Sequence, residues 1–231
     1  MMLIHEDIHY QSDALQVIRP IEVWAHTKNF SIILEIEQFG HRSKAIYYPE
    51  KGVRFTTDIR VPKPYEVHHH IAYSALCEFL GWNVAIPAIP FSFEDDDHGA
   101  LSPFYEGVEV KPHYFFKSLP PNDTWIKIVI LDYLAGLIDR TSNDVLFLPD
   151  GTVKVTDNGL SFVEGTDFTT QISVIRKALR GIALPPKIVR ALGNLSLSIL
   201  KPISQYLYKP NEALDAVLQR KNVLLSARAV L

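Results

Sequence analysis

The stretch Asp144-Val145-Leu146-Phe147-Leu148-Pro149-Asp150-Gly151-Thr152-Val153-Lys154-Val155-Thr156-Asp157 reads as strand, turn, strand, and this reading decides the fold. Asp-Gly is a strong hairpin signal, because a type I′ turn needs positive φ at both central positions. A turn centred on Asp150-Gly151 sets Pro149 opposite Thr152, and the ladder then carries Asp144 opposite Asp157. Residues so opposed lie roughly 4.5–5.5 Å apart at Cα. Two carboxylates that close repel by about 3 kcal/mol at an effective dielectric near 20, so a positive charge must compensate. Asp139-Arg140 and Asn143 stand immediately upstream, and polar side chains therefore crowd one end of an otherwise apolar hairpin. That crowd suits a hard divalent cation, Mg²⁺ when phosphates share the site.

Working outward, the segment before the hairpin is helical. Ile126, Ile130, Tyr133, Leu134 and Leu137 form one stripe, and Ile128, Leu131 and Ile138 cover the opposite side. A helix apolar all round is a core helix, and Asp123 or Thr124 can cap its start. Asp132 inside it is expected to fix the following loop by hydrogen bonds. Nearer the start of the chain, Leu15–Trp24, Phe30–Glu37 and Lys44–Tyr48 are rich in β-branched and aromatic residues and read as strands. Ala72, Leu76, Phe79 and Leu80 mark one buried helix face with Gly81 as its C-cap. Val84–Phe93 reads as extended, Leu101–Val110 as a further strand, and the proline-rich segment Lys111–Asp123 as a crossing between lobes. Helices follow the hairpin: Ile172, Ile175 and Leu179 mark one, and Ile188, Leu192 and Leu195 the next. Asn211 is expected to cap the last, with Ala213, Leu214, Val217 and Leu218 inside it.

At 231 residues, 47% hydrophobic and 21% charged, the composition is that of an ordinary globular protein with ample core. A net charge of −3 and a pI near 6.3 give no reason to expect nucleic-acid binding. The single cysteine, Cys77, excludes an internal disulfide and fits a reducing, cytoplasmic compartment. Neither a signal peptide nor a membrane span is expected: Met1–Gln11 lacks an apolar core, and Ile126–Ile138 is short and carries Lys127 and Asp132. The acidic run Glu94–Asp97 reads as a solvated loop.

The segments Asp139-Arg140-Thr141-Ser142-Asn143-Asp144 and Val155-Thr156-Asp157-Asn158-Gly159-Leu160-Ser161-Phe162 resemble the catalytic core of kinase-like folds. There, a loop carries a catalytic Asp and a metal-binding Asn, and a hairpin leads to a second metal-binding Asp before Gly. The D-R-x-x-x-[N/H/D] and D-x-G-L-x-F patterns are similar to those of the phosphatidylinositol 3-/4-kinase-related superfamily, which includes HipA-type bacterial kinase-like proteins. The helix Leu131–Ile138 likewise resembles that group's F-D-x-L helix. The resemblance implies an α+β, two-lobed protein-kinase-like fold, with a small β-rich N-lobe (1–110) and a mainly helical C-lobe (111–231). It implies ATP and Mg²⁺ as cofactors and an unknown hydroxyl, on a protein or small molecule, as acceptor. Asp139 would orient or deprotonate that hydroxyl with Arg140 bracing the loop. Asp157 would hold metal, together with either Asn143 or Asp144.

The small lobe departs from the pattern. The strand expected to end V-Y-K-P reads Ala45-Ile46-Tyr47-Tyr48-Pro49, so Tyr48 takes the position of the phosphate-contacting lysine. Lys44, on the same strand face, or Lys51, just beyond, could substitute. The helix glutamate that would pair with that lysine is represented by Glu66, before the helix, or by His70. The segment 25–29, where a phosphate loop would lie, holds no glycine. A pseudokinase that binds a nucleotide or partner without phosphoryl transfer is therefore the alternative. A third pattern, His5-Glu6-Asp7-Ile8-His9, fits H-E-x-x-H but shows no helical core face and no third ligand. His68-His69-His70 are consecutive, point about 100° apart on a helix and cannot converge on one metal; at least one of them is expected to face solvent.

Overall fold

The structure is a computed structural model that describes residues 14–25, 30–53, 61–93, 97–163 and 174–231. The H-E-x-x-H pattern, the glycine-free segment 26–29, Glu94–Asp96 and Ile172 lie outside the described residues. The fold is mixed, a β-rich sheet with helices. Strands β1 (Leu15–Ala25), β2 (Phe30–Gln38), β3 (His41–Pro49), β4 (Ile89–Ser92) and β5 (His98–Pro103) form an antiparallel sheet in the order β1-β2-β3-β5-β4.

Period-2 alternation sorts the side chains of β3. Ala45 and Tyr47 point to one face, where they pack with Leu34, Ile36 and Leu101. Tyr48 points to the other, where helix α1 (Tyr65–Phe79) lays Val67 and Ile71 against Ala100. The opposite side of α1 carries Ala72, Tyr73, Leu76 and Cys77 into the main core, so α1 is buried on two sides. Phe79, expected in that core, stands 37% exposed at the last turn, and Gly81 with φ +64° follows the cap as expected. Cys77 is a buried thiol that donates to the Trp82 carbonyl.

The strand expected over Leu101–Val110 is two strands in two sheets. β5 ends at Pro103, and β6 (Glu109–Val110) joins β7 (Val145–Phe147) and β8 (Val153–Val155) in a three-stranded sheet. Gly107, at φ +69°, lies in the intervening turn. Helix α2 (Asp123–Ala135) is buried nearly all round, as its sequence requires. Its cap is Asn122, whose side chain accepts from the Trp125 N–H at 3.0 Å, one residue before the expected Asp123. Gly136, left-handed at φ +62°, ends it, so Leu137 and Ile138 lie beyond the helix. The remaining helices, α3 (Val174–Leu179), α4 (Pro186–Asn194), α5 (Leu197–Leu200) and α6 (Pro210–Ala227), complete the main core. α6 starts from Lys209 with Pro210 at its first position, ahead of the expected Asn211. From α6, the buried Arg220 donates to the carbonyls of Leu134 and Val163, satisfying the C-terminal end of α2.

Candidate functional site

The hairpin forms, but with a register one residue away from the one its Asp-Gly predicts. Leu146 pairs with Lys154 and Val145 with Val155, so Asp144 stands against Thr156, whose N–H donates to the Asp144 carbonyl at 2.9 Å. Proline explains the shift. Pro149 locks its φ near −65° and suits the second position of a turn over Leu148–Gly151, closed by the Gly151 N–H on the Leu148 carbonyl at 2.9 Å. Gly151 alone in this loop has positive φ, at +85°, which excludes a type I′ turn centred on Asp150-Gly151. Asp150 accepts from the Thr152 N–H instead. Asp157 therefore lies one residue past its expected position, with φ +53°. A left-handed non-glycine residue stores strain, a feature that clusters at functional sites.

Three carboxylates nonetheless share one neighbourhood. Asp139 follows α2 by a short extended run that is pinned beside the Asp157 segment by the Ile138 N–H on the Leu160 carbonyl, 3.2 Å. The Asp139 carboxyl is pushed up to about 7, first by burial, then by Asp157, Asp144 and Glu66, against the opposing pull of Arg140. Its Oδ1 is buried and has no hydrogen-bond partner. Asp144 is also raised, again chiefly by burial and in smaller part by Asp157, although the loop restrains it. The Thr141 N–H and hydroxyl donate to Asp144 Oδ2 at 2.6 and 2.8 Å, in a capping box over the 3₁₀ turn Ser142–Asp144. Asn143 is exposed on that turn, as is Asp157 on its own segment.

Arg140 is the nearest cation, and its donors are spent inside the protein. It is 7% exposed and pairs with Asp132 through Nη2 at 2.9 Å and Nε at 3.2 Å. It also donates to Asn158 Oδ1 at 2.5 Å, to the Tyr73 hydroxyl at 3.3 Å and to the Thr156 carbonyl. Asp132 thus fixes the loop, and Arg140 braces it without pairing with Asp139. Gly159 has its own reason: a Cβ there would stand 2.7 Å from the Glu66 carbonyl, so only glycine lets the first turn of α1 lie against this segment. Glu66 is inside α1, not before it.

The expected lysine position is neutral. Tyr48 hydrogen-bonds the Thr156 side chain, and its phenol is pushed up to about 12, chiefly by burial and then by Asp157. Its ring lies 5.4 Å from that of His70, which is lowered to about 4 by burial despite the upward pull of Asp157. Neither carries charge near neutrality. Lys44 ion-pairs with Glu106 at 2.5 Å, both side chains well exposed, and Lys51 is exposed on the turn after β3. No member of the histidine triplet faces solvent freely: His69 and His70 are buried, and half-buried His68 meets Glu50 at 2.5 Å. Sequence reasoning missed Tyr73 and Asn158, both fully buried. The signal was Asp132 itself, since a carboxylate inside an apolar helix demands buried donors.

Among the described residues, no group of three or more His, Cys, Asp or Glu converges to hold a metal by protein alone. Mg²⁺ asks less, typically one or two carboxylates plus phosphate oxygens. An orphaned buried carboxylate oxygen beside two further carboxylates, with the local arginine engaged elsewhere, fits that requirement.

The described chain resembles the solved structure of hydra Fam20 with sugar, at 14% identity, covering 94% of this chain and 86% of that one, with a TM-score of 0.59. The fold is kinase-like. A Helicobacter pylori proinflammatory kinase, CtkA, aligns with 94% of this chain and 93% of its own at 8% identity and a TM-score of 0.47. No family model matches the sequence, and no curated protein does. At such identities the likeness shows the fold alone. Among the described residues, no helix is long and apolar enough to cross a membrane.

Proposed function

We propose that this chain is an ATP- and Mg²⁺-dependent phosphotransferase of the phosphatidylinositol 3-/4-kinase-related, HipA-like type. Its two lobes would divide near residues 1–110 and 111–231, with the acidic cluster facing the cleft between them. One observation carries the reading: Asp157 raises the proton affinity of both Asp139 and Asp144, and Asp144 that of Asp139, while Arg140 is committed to Asp132, Thr156 and Asn158. That is negative charge which Arg140 offsets only in part, a place for a cation.

Asp157 with Asn143 or Asp144 would hold the metal, which when bound neutralises charge on the transferring phosphoryl group. Asp139, titrating near 7, accepts the proton of the acceptor hydroxyl as that oxygen bonds to the γ-phosphorus and ADP departs. Lys51 or Lys44 would contact phosphate in place of Tyr48. The lone, buried Cys77 fits a cytoplasmic setting.

Incubation with γ-labelled ATP tests the reading. A catalytic carboxylate acts mainly in the transition state, so Asp139→Ala reduces autophosphorylation or ATP hydrolysis by ~10²–10⁴-fold with nucleotide affinity nearly unchanged. The neutral Tyr48–His70 pair favours a second reading, a pseudokinase that holds nucleotide or a partner without transfer. A wild type that binds ATP·Mg²⁺ and never turns it over selects it.

A further inference from the structure

We infer that Tyr73 is a positioning residue through which helix α1 sets the placement of Asp157. Its hydroxyl donates to Asp132 Oδ1 at 2.5 Å and accepts from Arg140 Nη2 at 3.3 Å. The ring stays under the guanidinium, 5.8 Å from its carbon. Arg140 in turn donates to the Thr156 carbonyl and to Asn158 Oδ1, the residues on either side of Asp157. One buried arginine therefore clamps both neighbours of a left-handed aspartate and is itself oriented from α1 by a single hydroxyl.

Helix α1 also reaches the acidic segment through His69, against the backbone of Gly159 and Ser161, but it is Tyr73 that bonds the guanidinium. The other close sheet–helix pair at the site, Tyr48 with His70, is neutral and offers no charged link. Charge-assisted hydrogen bonds are the stronger kind, and a network of them polarises its members. Tyr73–Asp132–Arg140 is such a network. The α1 backbone adds a packing contact at Gly159 but nothing that orients the guanidinium. Movement of α1 would therefore be read at Asp157 through Tyr73, and a strained φ of +53° persists only while its surroundings hold it.

Tyr73→Phe tests this with the ring volume kept. In the apo protein, hydrogen exchange of amides 156–158 is expected to rise at least ~5-fold over that in Leu192→Val, a core substitution in α4 that stands outside the network. Exchange no faster than in that control overturns the inference, and this arm needs no nucleotide. Should Tyr73→Phe not fold, Asp132→Asn reads the same amides, because it keeps an acceptor for Tyr73 while loosening Arg140.

The second arm rests on the proposed nucleotide site. With a non-hydrolysable ATP analogue and Mn²⁺, Tyr73→Phe should raise the half-saturating Mn²⁺ concentration by ~5-fold or more, and the change should vanish in an Asp157→Asn background. Equal effects in both backgrounds mean that Tyr73 acts only on stability and overturn the coupling. A wild type without metal-dependent nucleotide binding defeats the proposed function alone, and the exchange arm still decides the inference.

Discussion

Replacing Asp139 with Asn should stabilise the protein, and only at high pH. In the folded state this carboxyl is pushed from 3.8 to about 7, mainly by burial and then by Asp157. Below about pH 4 it is protonated in both the folded and unfolded states and contributes nothing. Between pH 4 and 7 the folded state holds a proton that the unfolded state has released, so stability falls as pH rises through that window. Above pH 7 the full cost is present, because the native protein must carry a half-buried charge beside like charges. Every tenfold gain in proton affinity on folding corresponds to about 1.4 kcal/mol. With a discount for the partial solvent access of Asp139, the cost is on the order of 2–4 kcal/mol. Asparagine keeps the shape and removes the charge. For a chain this long, Asp139→Asn should raise Tm by roughly 5–15 °C at pH 8 and by no more than about 2 °C at pH 4. Thermal unfolding followed by circular dichroism across that range reads both numbers. A Tm difference that is the same at both pH values would refute the claim that Asp139 is an uncompensated carboxylate.

Further outcomes follow from the same cluster and its frame. ATP·Mg²⁺ at ~100 times its dissociation constant should stabilise the wild type by about 2.7 kcal/mol, with Asp157→Asn losing the metal-dependent part. Because a cation held by Asp157 beside Asp139 favours the ionised form of Asp139, Mg²⁺ affinity should rise between pH 6 and 8, with proton uptake by buffer visible in calorimetry. Lys51→Ala should weaken ATP binding more than Lys44→Ala, since Lys44 is already paired with Glu106; the reverse order in equilibrium binding would assign Lys44 as the phosphate contact. Arg220→Met removes two buried, charge-assisted bonds to the Leu134 and Val163 carbonyls and should cost roughly 3 kcal/mol in urea unfolding without shifting nucleotide affinity.

The fold was legible where periodicity is strong. The all-round apolar segment after Asn122 read as a core helix and is one, and the β-branched runs from Leu15 to Tyr48 read as strands, which the structure pairs in one sheet. Register was not legible. Asp150-Gly151 favours one hairpin and Pro149 another, and the rigid ring prevails, moving Asp157 by one residue. The extended run after Leu101 hid a change of sheet, because alternation continues across the break while pairing partners change at Gly107. At the site, the aspartates were legible as residue types at a spacing, but their environment was not. Arg140 looked like the local countercharge, and Asp132, eight residues earlier on α2, claims it through two hydrogen bonds. Tyr73 joins them from α1, and no pattern linking residues that distant is written in the chain itself.

The charge inventory narrows what the proposed cleft can take. Tyr48 and His70 are neutral, Arg140 is locked inward, and Lys44 is paired on the exposed side with Glu106. Under the proposed function, a free ATP tetra-anion would meet Asp139, Asp144 and Asp157 with the exposed Lys51, or Lys44 already paired with Glu106, as its partial offset, and the opposition would be strong in a half-buried setting. The same nucleotide carrying Mg²⁺ brings its own countercharge to the place where the carboxylates need one. The neutral Tyr48 puts no charge at the position where a lysine is expected, which makes the metal complex the species that fits best. The substitution at Tyr48 then counts less against binding than against metal-free binding. It leaves turnover to depend on how firmly the clamp around Asp157 keeps the cation, the acceptor and Asp139 in one geometry.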